Sequence, residues 1–251
     1  MSAGTVTGRV LMTPKIYIGG YDVTGYHDKI SAPITKEMLT PQQFGATGKQ
    51  RKAGLWDLIM AHSGFWDGGA DTIDAVLRGL PASNVLTLCP NTGAMGDKSA
   101  WFCNIITPKY ETGGKVGGMI TFAGSAALQD GSPVLNGTVL QASTITASGT
   151  GTAYNLGAAA VTQHLYAALH VTATSGNANR TLDVIVESAD DGGGTGAQTR
   201  MTFTQVTTDV GAEFLTPVAG DAGISQEFWR AKYTRGGTDG SFTFIITFAF
   251  L

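Results

Sequence analysis

The chain has few charged residues, and their scarcity limits what its surface can do. Asp, Glu, Lys and Arg make up only 14% of its 251 residues, against about 25% in an average soluble domain. The net charge of −3 does not indicate electrostatic binding to nucleic acid or to an anionic membrane. A surface with so few charges must expose Thr, Ser and Gly or be covered by partners. We expect both here.

Metal-binding patterns are also missing. The two cysteines, Cys89 and Cys103, form no CxxC or Cys/His spacing, which argues against a zinc site. We expect both to be reduced and buried, because nothing indicates an oxidising compartment. Pairing across a hairpin is the alternative. No metal-ligand spacing joins the four histidines either, which are His27, His62, His164 and His170. The sequence therefore predicts no metal and no cofactor.

No run of apolar residues approaches the ~18 that a membrane-spanning helix needs. The first fifteen residues lack the apolar core of a signal peptide. We therefore expect no membrane partner, and we expect the protein to be made in the cytoplasm.

Catalytic motifs are absent as well. The glycine-rich loops do not match the phosphate-binding pattern, and the segment 64–67 (GFWD) is not the GxSxG nucleophile elbow. Asp71 and Asp74 are explained by capping and by the dipole of a helix that starts there. The pair Asp190 and Asp191 precedes three glycines and indicates a solvated turn. The sequence thus predicts that the protein is not an enzyme, and a glycan hydrolase is disfavoured because no carboxylate pair stands out.

The first half predicts strands around one helix. Strands are expected at Pro14–Ile18 and in the extended stretch 29–39, followed by a long exposed loop at Thr40–Gly54. The segment Leu55–Trp66 has apolar residues on both faces, which favours a strand covered on both sides. A helix is predicted at Asp71–Leu80, with Pro81 ending it. Its packing stripe at i, i+3, i+4 and i+7 consists of Ile73, Val76, Leu77 and Leu80.

The second half alternates with a period of two, and this pattern predicts an antiparallel β-sandwich with one polar face. Leu165 to Ala173 and Phe242 to Phe250 show the alternation best. Trp229 and Tyr233 alternate with charged residues on a strand, which favours a core or interface role over a surface site that stacks sugars. Between the halves, residues 129–153 are rich in Ser, Thr and Gly, and we interpret them as a linker. The predicted domains are therefore residues 1–128 and 154–251.

Several segments of the first 128 residues occur in an order that resembles a known family. They are KIYIGGYDVTG (15–25), TPQQFGATGKQRKAGL (40–55), SGFWD (63–67), ADTIDAVLRGL (70–80) and FCNIITPKYETGGKVGGMITFAG (102–124). The most specific is the pattern FGxTGxxRxxGL from Phe44 to Leu55. In these features the chain resembles the tail tube proteins of long-tailed, siphophage-type bacteriophages.

This resemblance implies a mainly β fold. The N-terminal domain would be a tail-tube-like β-sandwich or barrel with one flanking α-helix, and the C-terminal domain an antiparallel β-sandwich. The second domain would then decorate the tube surface or act as a second tube-like domain.

The resemblance also implies a structural protein of the virion tail. Copies would assemble into rings with six-fold or pseudo-six-fold symmetry, which stack into a tube through which DNA passes without specific binding. Other tail proteins would be further partners, and the loop would reach a neighbouring subunit. The loop residues expected at this contact are Phe44, Thr47, Lys49, Arg51 and Lys52. A capsid decoration protein or a carbohydrate-binding virion protein is the alternative.

Overall fold

The structure is a computed structural model of the chain. It describes residues 14–39, 52–69, 72–78, 83–129, 131–207, 210–216, 223–237 and 239–251. Nearly all regular structure in these ranges is β-strand, and they hold a single short α-helix. The predicted fold class, mainly β with one helix in the first half, is confirmed.

The first half contributes eight strands and the helix. The strands are β1 Lys15–Ile18, β2 Tyr21–Asp22, β3 His27–Ser31, β4 Ile34–Leu39, β5 Lys52–Phe65, β6 Ser83–Cys89, β7 Ala100–Gly113 and β8 Thr121–Leu128, and the helix is α1 Ile73–Leu77. A short 3-10 turn, Thr24–Tyr26, lies between β2 and β3. These strands and the helix enclose one apolar core, which includes Ile16, Met60, Ile105 and Phe122.

The second half contributes nine strands. They are β9 Leu135–Ile145, β10 Gly149–Thr150, β11 Tyr154–Asn155, β12 Leu165–Ser175, β13 Thr181–Ala189, β14 Gln198–Thr202, β15 Gly211–Leu215, β16 Phe228–Gly236 and β17 Ser241–Phe250. A five-stranded sheet of β10, β11, β16, β13 and β14 packs face to face on β9, β12 and β17. The alternating residues predicted from the sequence, such as Leu169, Val184 and Phe244, fill the core between the two layers.

One twelve-stranded sheet runs through both halves of the chain. Its main path is β15-β12-β17-β9-β7-β6-β1-β2, and β8, β5, β3 and β4 continue from β7. Strand β9 lies within the predicted linker, yet it pairs with β7 on one side and with β17 on the other. The segment 129–153 thus contains a central strand, and the two domain boundaries stay a prediction.

The outer face of β12 differs from the expectation of a polar, solvated surface. Tyr166, Ala168 and His170 are buried, because Val85 and Phe102 of the first half pack against this face. The His170 imidazole contacts the Thr87 hydroxyl at 2.8 Å through Nε2 and the Gly19 carbonyl at 2.5 Å through Nδ1. The halves also approach closely at Gly20, where a Cβ would lie 2.3 Å from the Gly211 nitrogen. Strand β12 is therefore covered on both sides.

The segment Leu55–Trp66 was predicted to be a strand covered on both sides, and for β5 this prediction was wrong. Leu58, Met60 and His62 point into the core, but Leu55, Ile59 and Phe65 are exposed on the other side. In the described part of the chain no second layer covers these three side chains, because the second half packs against that face of the sheet at β6 and β7. The strand therefore has a buried face and an exposed apolar face.

Helix α1 is shorter than predicted. Asp74 lies in its first turn, as expected for the helix dipole, whereas Asp71, the predicted cap, lies outside the described residues. Thr72 occupies the N-cap position without a side-chain hydrogen bond. The buried Asp74 carboxylate instead accepts hydrogen bonds from Trp66 Nε1 at 3.1 Å and from the Tyr110 hydroxyl at 2.7 Å. It also pairs with Arg78. Burial by itself would raise the pKa of Asp74, but these hydrogen bonds and the arginine charge lower it. The carboxylate thus fixes the helix to β7 and to the end of β5.

We expect the Asp74→Ala variant to lose about 2–3 kcal/mol of unfolding free energy, because the Trp66 and Tyr110 donors lose an ionised acceptor at a buried site. Urea denaturation followed by circular dichroism measures this loss. Asp57→Ala removes an exposed carboxylate on β5 and serves as the control, with an expected change within about 0.5 kcal/mol. Equal effects of the two substitutions would contradict this role for Asp74.

Candidate self-assembly surface

A two-stranded ribbon projects from the sheet of the first half. It consists of β4 and residues 52–58 of β5, and we call it the arm. Ile34 pairs with Leu58, and Lys36 pairs with Trp56, before a bulge shifts the register between Lys36 and Met38. Of the predicted loop 40–54, residues 40–51 lie outside the described residues, and residues 52–54 belong to β5 instead.

Both long edges of the arm lack a partner strand among the described residues. Strand β4 pairs only with β5, and β8 pairs with β5 only from Ile59 to Phe65. The backbone N–H and C=O groups along these two edges are therefore open to another chain. Such unpaired edges are templates for strand pairing between molecules, and a two-stranded ribbon is only marginally stable by itself in water.

Apolar side chains project from both faces of the arm. Leu55 is 82% exposed and Met38 is 58% exposed. Trp56 is 40% exposed, and as the neighbour of Leu55 on the strand it points to the opposite face. The Lys36 ammonium lies 4.7 Å from the centre of the Trp56 ring, which covers part of the indole with a cation. Exposed apolar groups concentrated on one projecting element mark an interaction surface.

The apolar surface continues from the arm onto the sheet. Ile59 of β5 pairs with Ala127 of β8, which in turn pairs with Ile106 of β7. Ile59 and Ile106 are exposed, and cross-strand neighbours share one face of a sheet. A partner that binds the arm therefore finds a continuous apolar row on the adjoining strands.

A histidine pair, half-buried His27 and buried His62, lies in the sheet from which the arm projects. His27 Nε2 lies 2.8 Å from His62 Nδ1, and His27 Nδ1 lies 2.8 Å from the Val23 carbonyl. The Phe122 ring packs edge-on against both imidazoles. Burial lowers the pKa of His62 to about 4, with a smaller effect of His27, and it also lowers the pKa of His27. The His62 ring is therefore neutral at pH 7, and the pair joins β3 to β5.

The structure places the sequence-predicted residues as follows. Phe44, Thr47, Lys49 and Arg51 lie outside the described residues, and Lys52 is the first residue of β5. Ile73, Val76 and Leu77 are buried in the core of the first half, whereas Leu80 lies outside the described residues. Trp229 is fully buried and donates a hydrogen bond from Nε1 to the Gly157 carbonyl at 2.9 Å. Tyr233 packs against Phe244.

Trp229 belongs to the five-stranded sheet, and the facing layer of β9, β12 and β17 covers its indole. This placement corrects the suggestion of a surface binding site at Trp229. Sequence patterns missed Met38, Leu55, Trp56 and Ile59 as exposed apolar residues. The alternation from Leu55 to Phe65 was the available signal for an exposed face, but apolar residues at both odd and even positions concealed it.

Both cysteines, Cys89 and Cys103, are free and buried. Burial raises the pKa of each thiol to about 12, so neither is a thiolate at neutral pH. No group of three His, Cys, Asp or Glu side chains in the described ranges is arranged to hold a metal ion. The same ranges contain no helix with the length and apolar character needed to cross a membrane.

No protein-family model matches the chain, and no curated protein matches it. Among solved structures it is similar to a chain from the virion of a native gene transfer agent particle, with 10% identity, a TM-score of 0.38, and coverage of 48% of this chain and 95% of that one. It is also similar to a chain from the tail of an empty gene transfer agent particle with C6 symmetry, with 12% identity, a TM-score of 0.35, and coverage of 47% and 93%.

A third similar structure is the SPP1 Dit protein, described as a paradigm of the hub adsorption apparatus in phages that infect Gram-positive bacteria. The identity is 11%, the TM-score is 0.35, and the match covers 96% of this chain and 100% of that one. Identities and TM-scores this low are insufficient to transfer a function from these proteins.

Proposed function

We propose that this protein is a non-enzymatic structural subunit of a phage tail, which assembles with copies of itself into stacked rings that form the tail tube. The observation that carries this proposal is the arm. Among the described residues of one subunit, nothing pairs with the two backbone edges of the arm, and Leu55, Met38 and Trp56 stay exposed. A second copy that pairs with an edge satisfies the backbone groups and covers the apolar side chains together.

The order of elements supports the link to tail tubes. The opening strand and turn, the long strand that ends at Phe65, the short helix and the hairpin of β7 and β8 follow one another as in the family that the sequence resembles. The arm also lies on both sides of the loop whose FGxTGxxRxxGL pattern is the most specific part of that resemblance. A projecting element on one surface that binds a different surface of the next copy gives a heterologous contact, which closes into a ring or continues as a tube.

Sedimentation velocity and negative-stain electron microscopy of the purified protein test the proposal. We expect the wild-type protein to form rings or tubes as its concentration rises. In the Leu55→Asp variant, a charge replaces an apolar side chain at the contact, and assembly should require at least about tenfold more protein.

Val161→Asp is the matched control, because Val161 is an apolar residue of the second half with a similar exposure, 73% against 82% for Leu55, and does not belong to the arm. It should assemble like the wild type, and Leu55→Asp should keep the wild-type circular dichroism spectrum. A wild-type protein that stays monomeric at high concentration, even with tail-initiation components added, would overturn the proposal.

A further inference from the structure

The turn between β7 and β8 presents apolar side chains at its most exposed point. We call residues 113–120 the tip. Val116 is fully exposed, and Met119 and Ile120 are also exposed. Gly117 adopts a φ of +80°, and the Gly118 N–H donates to the Lys115 carbonyl at 2.9 Å, so the turn is tight and well defined. Apolar residues gain nothing from this position in an isolated subunit.

An apolar cavity of about 240 Å³ lies at the base of the arm. Leu58 and Cys103 lie deep in it, whereas Ile34, Leu88 and Trp101 are only half-buried and lie nearer its opening. A cavity of about 150 Å³ with apolar walls is large enough for benzene. The cavity therefore has room for one or two aliphatic side chains and offers little to a polar ligand.

The tip of a subunit is too far from the cavity of the same subunit to enter it. Trp101 and Cys103 lie near the start of β7, and Gly113 ends that strand. Ten residues separate Cys103 from Gly113, and at ~3.3 Å per residue they span roughly 33 Å. The tip of another molecule is not held back by this distance and can reach the cavity.

The cavity is continuous with the proposed assembly surface. Ile34 and Leu58 line it, and these two residues form the pair at which the arm joins the sheet. A second copy seated against the arm therefore also covers the opening of the cavity. Because tip and cavity lie at opposite ends of β7, a contact between them is head-to-tail and leaves a free tip and a free cavity for the next copies.

We propose that the tip of one subunit inserts its apolar side chains, with Val116 foremost, into the cavity of the next subunit. This inference rests on the proposed function. The contact is a knob-in-hole joint between copies of this chain, and it defines the direction in which the assembly grows. Burial of the exposed Val116, Met119 and Ile120 side chains supplies its affinity.

Charge substitutions at the two partner positions test this joint by sedimentation. Val116→Asp places a carboxylate on the tip, and Ala32→Asp places one in the cavity, which Ala32 lines. We expect each to raise the protein concentration needed for assembly at least about tenfold. A chain carrying both Ala32→Asp and Val116→Lys brings opposite charges together at every joint and should assemble better than either single aspartate variant. Val161→Asp is again the control.

Disulfide trapping provides a second measurement in case Ala32→Asp does not fold. Oxidation of an Ala32→Cys, Val116→Cys double variant should give a ladder of covalent oligomers on a non-reducing gel. The pair Ala32→Cys, Val161→Cys should not, and the two native cysteines are buried. If wild type assembles but neither the charge variants nor the cysteine pair differs from its control, the joint is wrong and the proposed function stands. A monomeric wild type overturns both.

Discussion

Lowering the pH from 7 to 5 is expected to reduce the unfolding free energy of the subunit by about 4 kcal/mol. His62 and His170 carry most of this effect, because the pKa of each is lowered to about 4 in the native state. The lowered pKa of His27 acts in the same direction. Burial is the main cause at both sites. His62 is further affected by the neighbouring His27, whereas the hydrogen bond from His170 to the Gly19 carbonyl opposes the shift.

The sign follows from proton binding in the two states. Above pH 6.5 both histidines are neutral in the native and in the unfolded chain, whose histidine pKa is about 6.5, so they cause no pH dependence. Between pH 6.5 and about 4 the unfolded chain binds protons that the native state excludes, and each site loses about 1.4 kcal/mol of stability per pH unit. Over 1.5 units this amounts to about 2 kcal/mol for each histidine. Asp74 and Asp97, whose pKa values are lowered, lose their contribution only at more acidic pH.

Urea denaturation at pH 7 and at pH 5, at a protein concentration where sedimentation shows monomer, measures the difference. In the His170→Gln variant we expect the pH-dependent loss to fall to about half. His164→Gln should leave the loss unchanged, because His164 is exposed on the surface. The same unfolding free energy at both pH values would show that these imidazoles are not held neutral by burial.

The strands of the second half could be predicted from the sequence, but not which of their faces meets solvent. The alternation over residues 165–173 and 242–250 correctly indicates β12 and β17. Both strands are nevertheless buried on both sides, because the first half packs against the face that carries Tyr166, Ala168 and His170. None of these three is charged, and a solvated face normally carries charges. Burial depends on contacts between segments about 80 residues apart, such as Thr87 with His170, which a local pattern does not contain.

The assembly surface could be predicted only in part. Composition predicted an exposed loop at residues 40–54, and the family resemblance implied that it reaches a neighbouring subunit; residues 40–51 lie outside the described residues. The open edge of the arm on β5 depends on where β8 stops pairing with β5, at Ile59, and this register is fixed by strands about sixty residues apart. Likewise, the dense apolar content of β5 is equally consistent with two covered faces or with one face reserved for a partner. Only the arrangement of the neighbouring strands distinguishes the two.

Replacing Trp229 with alanine is expected to cost about 3–5 kcal/mol of unfolding free energy. The indole is fully buried between the two layers of the second half. It stacks on Phe248 with 4.7 Å between ring centres, and its Nε1 donates to the Gly157 carbonyl. The alanine variant leaves a large cavity and an unsatisfied carbonyl, whereas Trp229→Phe keeps most of the packing and should cost less. Chemical denaturation of the monomer measures all three proteins.

Trp56→Ala is the matched control, since it makes the same substitution at an indole on the arm that is partly exposed. Its expected cost to the monomer is within about 1 kcal/mol, while its assembly should weaken because Trp56 belongs to the proposed contact. The two tryptophans thus separate stabilisation of the fold, at Trp229, from the proposed binding of a partner, at Trp56. A Trp229→Ala protein as stable as the Trp56→Ala protein would contradict the core role and restore the possibility of a binding surface at Trp229.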